Sequence, residues 1–334
     1  MHKFLKNKTI LITGGTGSFG KAFLKELLKS HDIVKKIIIF SRDELKQSEL
    51  NEKYPVKQFK KLRYFLGDLR DKDRIYRALD GVDIVVHAAA LKQVPTAEYN
   101  PFEYVKTNIL GAQNLIEACL DKNVKNVIAL STDKAVSPIN LYGATKLCSD
   151  KIFLAANNVK GNRNIKFSIV RYGNVFHSRG SVVPLFLKQK KNDKLTVTDK
   201  RMTRFHLTLS HAVEMVLWAI KNNNGGEIFV SKIPSYRILD LARAISPNSK
   251  VQLIGIRPGE KLDEELITLA ESINTISNNK YYIILNPDDK KNYLFYKKKG
   301  FKKLEKIFSY NSGNNKNFLN ISSLKKLIKN YNEK

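Results

Sequence analysis

Lys8-Thr9-Ile10-Leu11-Ile12-Thr13-Gly14-Gly15-Thr16-Gly17-Ser18-Phe19-Gly20 opens the chain with an apolar run of strand length that ends in closely spaced glycines. A helical pattern follows at once, from Lys21 to Leu28. Strand, glycine turn and helix in that order predict the start of a doubly wound α/β fold. Gly14, Gly17 and Gly20, three residues apart, permit a tight turn, close approach of backbone to a pyrophosphate, and close packing of helix on strand. Ser18 and Phe19 lie where a helix N-terminus offers free amides and a favourable dipole to phosphate.

The next elements continue the pattern. Lys36 to Phe40 reads as a second strand, followed by Ser41-Arg42-Asp43-Glu44 with Lys46 close behind. A carboxylate there serves the ribose hydroxyl of NAD, and an arginine accommodates the 2′-phosphate of NADP. Ser41 and Arg42 come first, so NADP is expected, with Asp43 leaving NAD open. Leu62 to Leu66 is a third strand, delivering Asp68 and Leu69 towards an adenine, with Asp71 as a helix cap. Val82 to Val86 is the fourth, and the small residues Ala88 and Ala89 after it let backbone lie against a flat cofactor. His87 reads as packing. A helix from about Phe102 to Asp121 carries Asn108, expected to brace the next strand or the loop after it.

That next strand, ending Val127-Ile128-Ala129-Leu130, runs into Ser131-Thr132-Asp133-Lys134. Open α/β sheets bind ligands at the C-terminal ends of their strands. Eight residues after Lys134 comes Tyr142, and Lys146 lies one helical turn further on the same face. A lysine cation there is expected to stabilise the phenolate, making Tyr142 a general base. A sixth strand, Phe167 to Arg171, completes a Rossmann sheet. The expected division is 1–172, mainly a dinucleotide-binding domain, and 173–334, mainly a substrate region and C-terminal cap, with the chain crossing between them. Arg204 and Arg257 are candidates for bidentate phosphate recognition.

Composition bounds the rest. The chain has 334 residues, 43% of them apolar, and a net charge of +28. Its lysines are spread along the whole length, which argues for an anionic small substrate and against a nucleic-acid partner. No apolar run reaches the roughly 20 residues of a membrane helix. Cys119 and Cys148 are isolated and without metal spacing, so no metal site is expected, and a reducing cytoplasm is.

The segments ITGGTGSFGK, SRDELKQSE, GDLRDKDR, HAAALKQVP, LSTDKA, NLYGATKLCSDK, RYGNV, SRGSVVP, MTRF and GIRPGEKL, together spanning residues 12 to about 262, resemble the extended short-chain dehydrogenase/reductases. Within these they resemble the inverting UDP-N-acetylglucosamine 4,6-dehydratase family of pseudaminic acid biosynthesis. The resemblance implies a homo-oligomer that binds NADP and a UDP-sugar. The implied reaction is dehydration with inversion at C5, giving UDP-2-acetamido-2,6-dideoxy-β-L-arabino-hex-4-ulose. It further implies catalytic roles for Thr132, Asp133, Lys134, Tyr142 and Lys146. Lys134 would be an unprotonated base at C5, its pKa depressed by burial and a nearby cation, and Asp133 a protonated acid at the 6-hydroxyl. Gly14, Gly17, Ser18, Phe19, Gly20, Ser41, Arg42, Lys46, Asp68, Leu69, Ala88 and Ala89, with Tyr142 and Lys146, would hold the cofactor, and Lys92, Asn174, Arg204, Arg257 and Glu260 the UDP-sugar. The chain departs from the family at Gln93, Phe176, His177, His206 and Asp263, and of these Phe176 and His177 are expected to reshape the sugar pocket. A retaining dehydratase or an epimerase on the same fold is the alternative implied.

Overall fold

The computed structural model describes residues 2–176, 181–287 and 289–332, with side chains to residue 329. Ten strands form one sheet, numbered here within it. They are β1 (Thr9–Thr13), β2 (Lys36–Ser41), β3 (Leu62–Leu66), β4 (Ile84–His87), β5 (Asn126–Thr132), β6 (Lys166–Tyr172), β7 (Ile228–Ser231), β8 (Thr275–Ser277), β9 (Tyr281–Ile284) and β10 (Lys302–Lys303). The order across the sheet is β10-β8-β9-β7-β6-β5-β4-β1-β2-β3. β3 to β7 are parallel to β1 and β2, whereas β9 joins β7 antiparallel.

Sequence patterning explains this core. β1 is buried along its whole length and β2 beyond Lys36, as strands covered on both faces require. Helices between the parallel strands cover the faces, among them Ser18–Leu28, which buries Phe19, Phe23, Leu24 and Leu27. Strand order reverses between β1 and β4, the switch point where such sheets open a ligand crevice.

The helix expected at 102–121 is built differently. A short α-helix, Pro101–Tyr104, passes through a π-helical turn, Val105–Leu110, into a second α-helix, Gly111–Asp121. Such turns recur at functional sites. Here it carries Asn108, whose side chain pairs with both backbone groups of Leu91 at 2.9 Å and donates to Thr145 Oγ1 at 3.1 Å. The loop after β4 is thereby tied to the helix bearing Tyr142.

Beyond β6 the chain leaves the sheet and builds a second apolar core around Phe186, Leu195, Met202, Leu241 and Leu324. Two small ribbons border it, Lys194–Val197 with Lys250–Leu253 and Thr203–Phe205 with Ser235–Arg237. The chain re-enters the sheet at β7, so the second half contributes four strands to it. Among the described residues, no helix is long and apolar enough to cross a membrane.

Candidate active site

A cavity of about 660 Å³ runs across the C-terminal ends of β1, β2, β4 and β5. The glycine turn forms one end. Gly14 has φ +65°, and a Cβ there would lie 2.8 Å from the backbone of Ala89 and 2.9 Å from that of Ala88. At Gly20 a Cβ would meet Gly15 backbone at 2.5 Å. Both glycines are therefore required by close backbone approach. Gly17 caps the helix Ser18–Leu28, and its own missing Cβ leaves the space above the turn open, with only Gly14 O within reach at 3.2 Å. This open cradle at a helix start fits the pyrophosphate of an extended dinucleotide.

Ser41, Arg42, Lys46, Asp68 and Leu69 continue along the wall. Asp43 is the N-cap of the helix Glu44–Lys53, accepting from Lys46 N at 3.0 Å, and its carboxylate also pairs with the Lys46 ammonium. Asp43 and Lys46 thus occupy each other, which leaves Arg42 as the exposed cation. Asp68 pairs with Arg70 at 2.7 Å and lies 3.8 Å from Arg42. Burial works against its charge, but the Arg70 bonds hold the carboxyl below its ordinary range. Asp71 caps the helix Lys72–Ala78.

The opposite end of the cavity is lined by Thr132, Lys134, Tyr142, Lys146 and Asn174, with Lys92, Arg257 and Glu260 around it. Thr132 ends β5, and Tyr142 and Lys146 share one face of the helix Leu141–Val159. Asn140 caps that helix through Gly143 N at 2.8 Å and donates to Gly259 O at 2.9 Å. It so binds the segment carrying Arg257 and Glu260 to the helix start. Ser137, at φ +44°, donates to Glu265 at 3.1 Å, and Lys261 donates to Val136 O at 2.5 Å. Tyr142 packs with Ala97 and Tyr104.

The polar contacts form a chain. Thr132 stands beside the Tyr142 phenol and favours its ionisation, and it donates to Asp133 Oδ1 at 2.9 Å. Lys134 Nζ lies 3.1 Å from Asp133 Oδ1, donates to Asn174 Oδ1 at 2.9 Å, and lies 3.3 Å from Glu264. Lys146 donates to Leu130 O at 3.0 Å.

Several expectations change on these facts. Burial pushes the Tyr142 phenol up to about 12, outweighing the pull of Lys134 and Thr132, so a phenolate is not its resting form. Lys146 does not reverse this, because its amine is directed to backbone and burial lowers its own affinity for a proton. Lys134 was expected neutral. Burial does act in that direction, but the carboxylates of Asp133 and Glu264 outweigh it and hold the amine above the ordinary lysine range. For Asp133, burial pushes the carboxyl up, in the direction of the expected acid. It does not reach the cavity wall, however: it is fully buried behind Thr132 and Lys134.

Arg204 is also placed differently. Its guanidinium is buried, donates to Thr203 O at 2.7 Å and Leu262 O at 3.0 Å, and lies 3.7 Å from Glu264, behind the wall. Phe176 and His206 stack edge to face at 4.7 Å within a buried aromatic group that includes Tyr236. They flank the site without lining it, and His177, with residues 178–180 of the SRGSVVP segment, lies outside the described residues. His87 is a core side chain bonded to Thr13 Oγ1 at 2.8 Å. Among the described residues no cluster could hold a metal ion. Glu264 is the group the sequence did not single out. Its signal was the run of three acidic residues, Asp263-Glu264-Glu265, that follows the GIRPGEKL segment, which is uninformative until folding brings it to Lys134.

Comparison with known proteins bears on this geometry. A family model described as polysaccharide biosynthesis protein matches residues 10–286. The chain is 52% identical over 316 residues to a UDP-N-acetylglucosamine 4,6-dehydratase (inverting) of Campylobacter jejuni subsp. jejuni serotype O:2, covering 92% of this chain and 93% of that protein. It is 43% identical to a UDP-glucose 4-epimerase of Rickettsia felis, covering 97% and 96%. Among solved structures, that of Pen from Bacillus thuringiensis superposes with a TM-score of 0.90 at 40% identity, over 98% of this chain and 99% of that one.

Proposed function

The chain belongs to the polysaccharide biosynthesis protein family, and from that premise we propose that it catalyses the 4,6-dehydration of UDP-N-acetylglucosamine with inversion at C5, using NADP, in pseudaminic acid or a related surface-glycan pathway. The observation that carries this reading is one cavity shared by the glycine cradle and by Thr132, Lys134 and Tyr142. The 52% identical relative supports the choice of reaction. Exposed Tyr99, Phe102 and Leu110 support a homo-oligomer.

Bound along the cradle, a nicotinamide dinucleotide supplies reversible hydride acceptance. The protein's own groups manage the protons. Tyr142 takes the proton of the sugar 4-hydroxyl in its ionised form, which is not its resting form and which the Lys134 charge and Thr132 favour. Once C4 is a ketone, the C5 hydrogen is acidic and the 6-hydroxyl can leave from the neighbouring carbon. Lys134 is proposed to move the proton at C5, for which it first passes its ammonium proton to the neighbouring Glu264 carboxylate, 3.3 Å away. Asp133, protonated, is the acid for the departing hydroxyl once the Thr132 hydroxyl, which donates to it at rest, turns to relay the proton. Arg257 and Lys92 lie on the wall for the diphosphate, and Asn174 orients Lys134.

UDP-N-acetylglucosamine deuterated at C4 tests the reaction. The product should be a 4-keto-6-deoxy sugar with that deuterium at C6, and in heavy water it should gain solvent deuterium at C5. The 43% identical relative favours a second reading, epimerisation. Deuterium found again at C4 of an epimer, with no 4-keto product, would establish it and refute dehydration.

A further inference from the structure

One lysine ammonium stands between two buried carboxyl groups. Lys134 Nζ lies 3.1 Å from Asp133 Oδ1 and 3.3 Å from Glu264 Oε1. Glu264 comes from the far half of the chain, where its backbone N–H donates to Ser312 Oγ at 2.9 Å. Its other ionic neighbour is Arg204, at 3.7 Å. The charged groups therefore alternate, Arg204, Glu264, Lys134, Asp133. One oxygen of each carboxyl, Asp133 Oδ2 and Glu264 Oε2, is buried without a hydrogen-bond partner.

Two ionised carboxylates at this depth repel each other, and a site shared in this way favours one proton between them. The surroundings differ. Glu264 has two cations within ion-pair distance, Lys134 and Arg204, whereas among the described residues Asp133 has Lys134 alone. Negative charge is therefore better placed on Glu264 and the proton on Asp133.

We propose that Glu264 is a positioning residue of this active site: it is the standing counter-ion of Lys134, and by filling that role it leaves the Asp133 carboxyl free to hold a proton behind Thr132. The use of that proton rests on the dehydratase reading; its location does not. The remaining titratable neighbours agree. Burial alone would raise both carboxyls, but Lys134, Arg204 and Lys261 together bring Glu264 below its ordinary range. For Asp133, burial and the Glu264 charge prevail over Lys134. The phenols of Tyr142 and Tyr236 are each pushed up to about 12, chiefly by burial, and stay neutral. Lys92 faces Lys134 from the loop after β4 and adds no charge of opposite sign.

Infrared spectroscopy of the protein without substrate tests this, because a buried protonated carboxyl gives a carbonyl band distinct from that of a carboxylate. Wild type at neutral pH should show such a band, absent in Asp133→Asn. In Glu264→Gln, Asp133 becomes the only counter-ion of Lys134 and ionises. Its band should titrate at least about one pH unit lower, the scale of coupling between such pairs. The alkaline limb of the kcat/KM profile should move with it, a loss of roughly tenfold at a pH above the new limb. Glu264→Asp, which withdraws the charge by one methylene, should shift the band part of the way and covers the case in which Glu264→Gln does not fold. An unchanged titration in either folded variant overturns the proposal, as does a wild-type band that survives Asp133→Asn. If the band behaves as expected but the wild type forms no 4-keto-6-deoxy sugar, the proton placement stands and the dehydratase reading is the one that fails.

Discussion

Gly143→Ala is a small change with a large expected cost. Gly143 follows Tyr142 on the helix Leu141–Val159, and a Cβ there would lie 2.1 Å from the carbonyl oxygen of Lys134 and 3.0 Å from Lys134 C and Pro138 Cβ. Carbon–oxygen contacts settle at about 3.3–3.6 Å, so the two segments must part by on the order of 1 Å. The obstructing atom is backbone in the 3-10 turn Asp133–Ala135 and cannot rotate aside. Tyr142 rides on one of the parting segments and Lys134 on the other. A displacement of about 1 Å costs on the order of 10²-fold in rate, or roughly 2.7 kcal/mol of transition-state stabilisation. Overpacking costs about 1–3 kcal/mol of stability, offset in part by up to about 1 kcal/mol from the better helix propensity of alanine. The assay is kcat for the labelled product, alongside cofactor titration by fluorescence and a thermal melt. Cofactor affinity should hold, since the glycine cradle lies on β1 at the other end of the cavity. A kcat within about threefold of wild type would refute the reasoning, because it would mean that the contact relaxes without disturbing Tyr142.

Arg42→Ala should weaken NADP binding by about tenfold, the lower end of a charge-assisted hydrogen bond for a side chain this exposed, and leave NAD nearly unaffected; equal losses for both in a titration would refute the NADP assignment. His87 predicts an acid-sensitive core. Burial, helped by the Lys146 cation, depresses its pKa from 6.5 to about 3, so below pH 6.5 the unfolded chain takes up a proton that the native state refuses. The unfolded state then binds more protons, and stability falls as pH drops from about 6.5 towards 3, by at most about 5 kcal/mol. His87→Asn should flatten that part of the curve in denaturant titrations, and an unchanged slope would show that the imidazole does not resist protonation.

The parallel sheet was legible because each of its six leading strands is a short apolar run bounded by turn chemistry, and because glycine spacing marks the first crossover. Tyr142, Lys146 and Thr132 were legible for the same reason: short-range spacing on one helix and one strand end brings them together. Their protonation states were not, because desolvation is a property of the whole fold. The spacing of Tyr142 and Lys146 suggests a lowered phenol pKa, whereas the folded site raises it. Arg204 shows the same limit. As an arginine in a polar segment it suited a phosphate, and only the folded positions of Leu262 and Glu264 reveal that its donors are used internally.

The expected division near residue 172 separates stretches of sequence, but the chemistry straddles it. Lys134 belongs to the loop after β5, yet its counter-ion Glu264 and its acceptor Asn174 both come after residue 172. Lys261 donates to Val136 O, Ser137 to Glu265, and Asn140 to Gly259 O. On the other flank of the catalytic loop, buried Arg171 donates to Leu266 O and Glu271 at 3.0 Å and lies 4.0 Å from Asp150, one helical turn beyond Lys146. These joints are polar where apolar ones would bind as well. Apolar contact is non-directional, whereas satisfied buried polar networks fix a unique arrangement and penalise partial ones. A site in which one lysine must stand between two carboxyls needs that directionality. The segment 257–271 is thus part of the active site's electrostatics, and a chain cut after β6 would retain the dinucleotide cradle while losing the charge that fixes the state of Lys134.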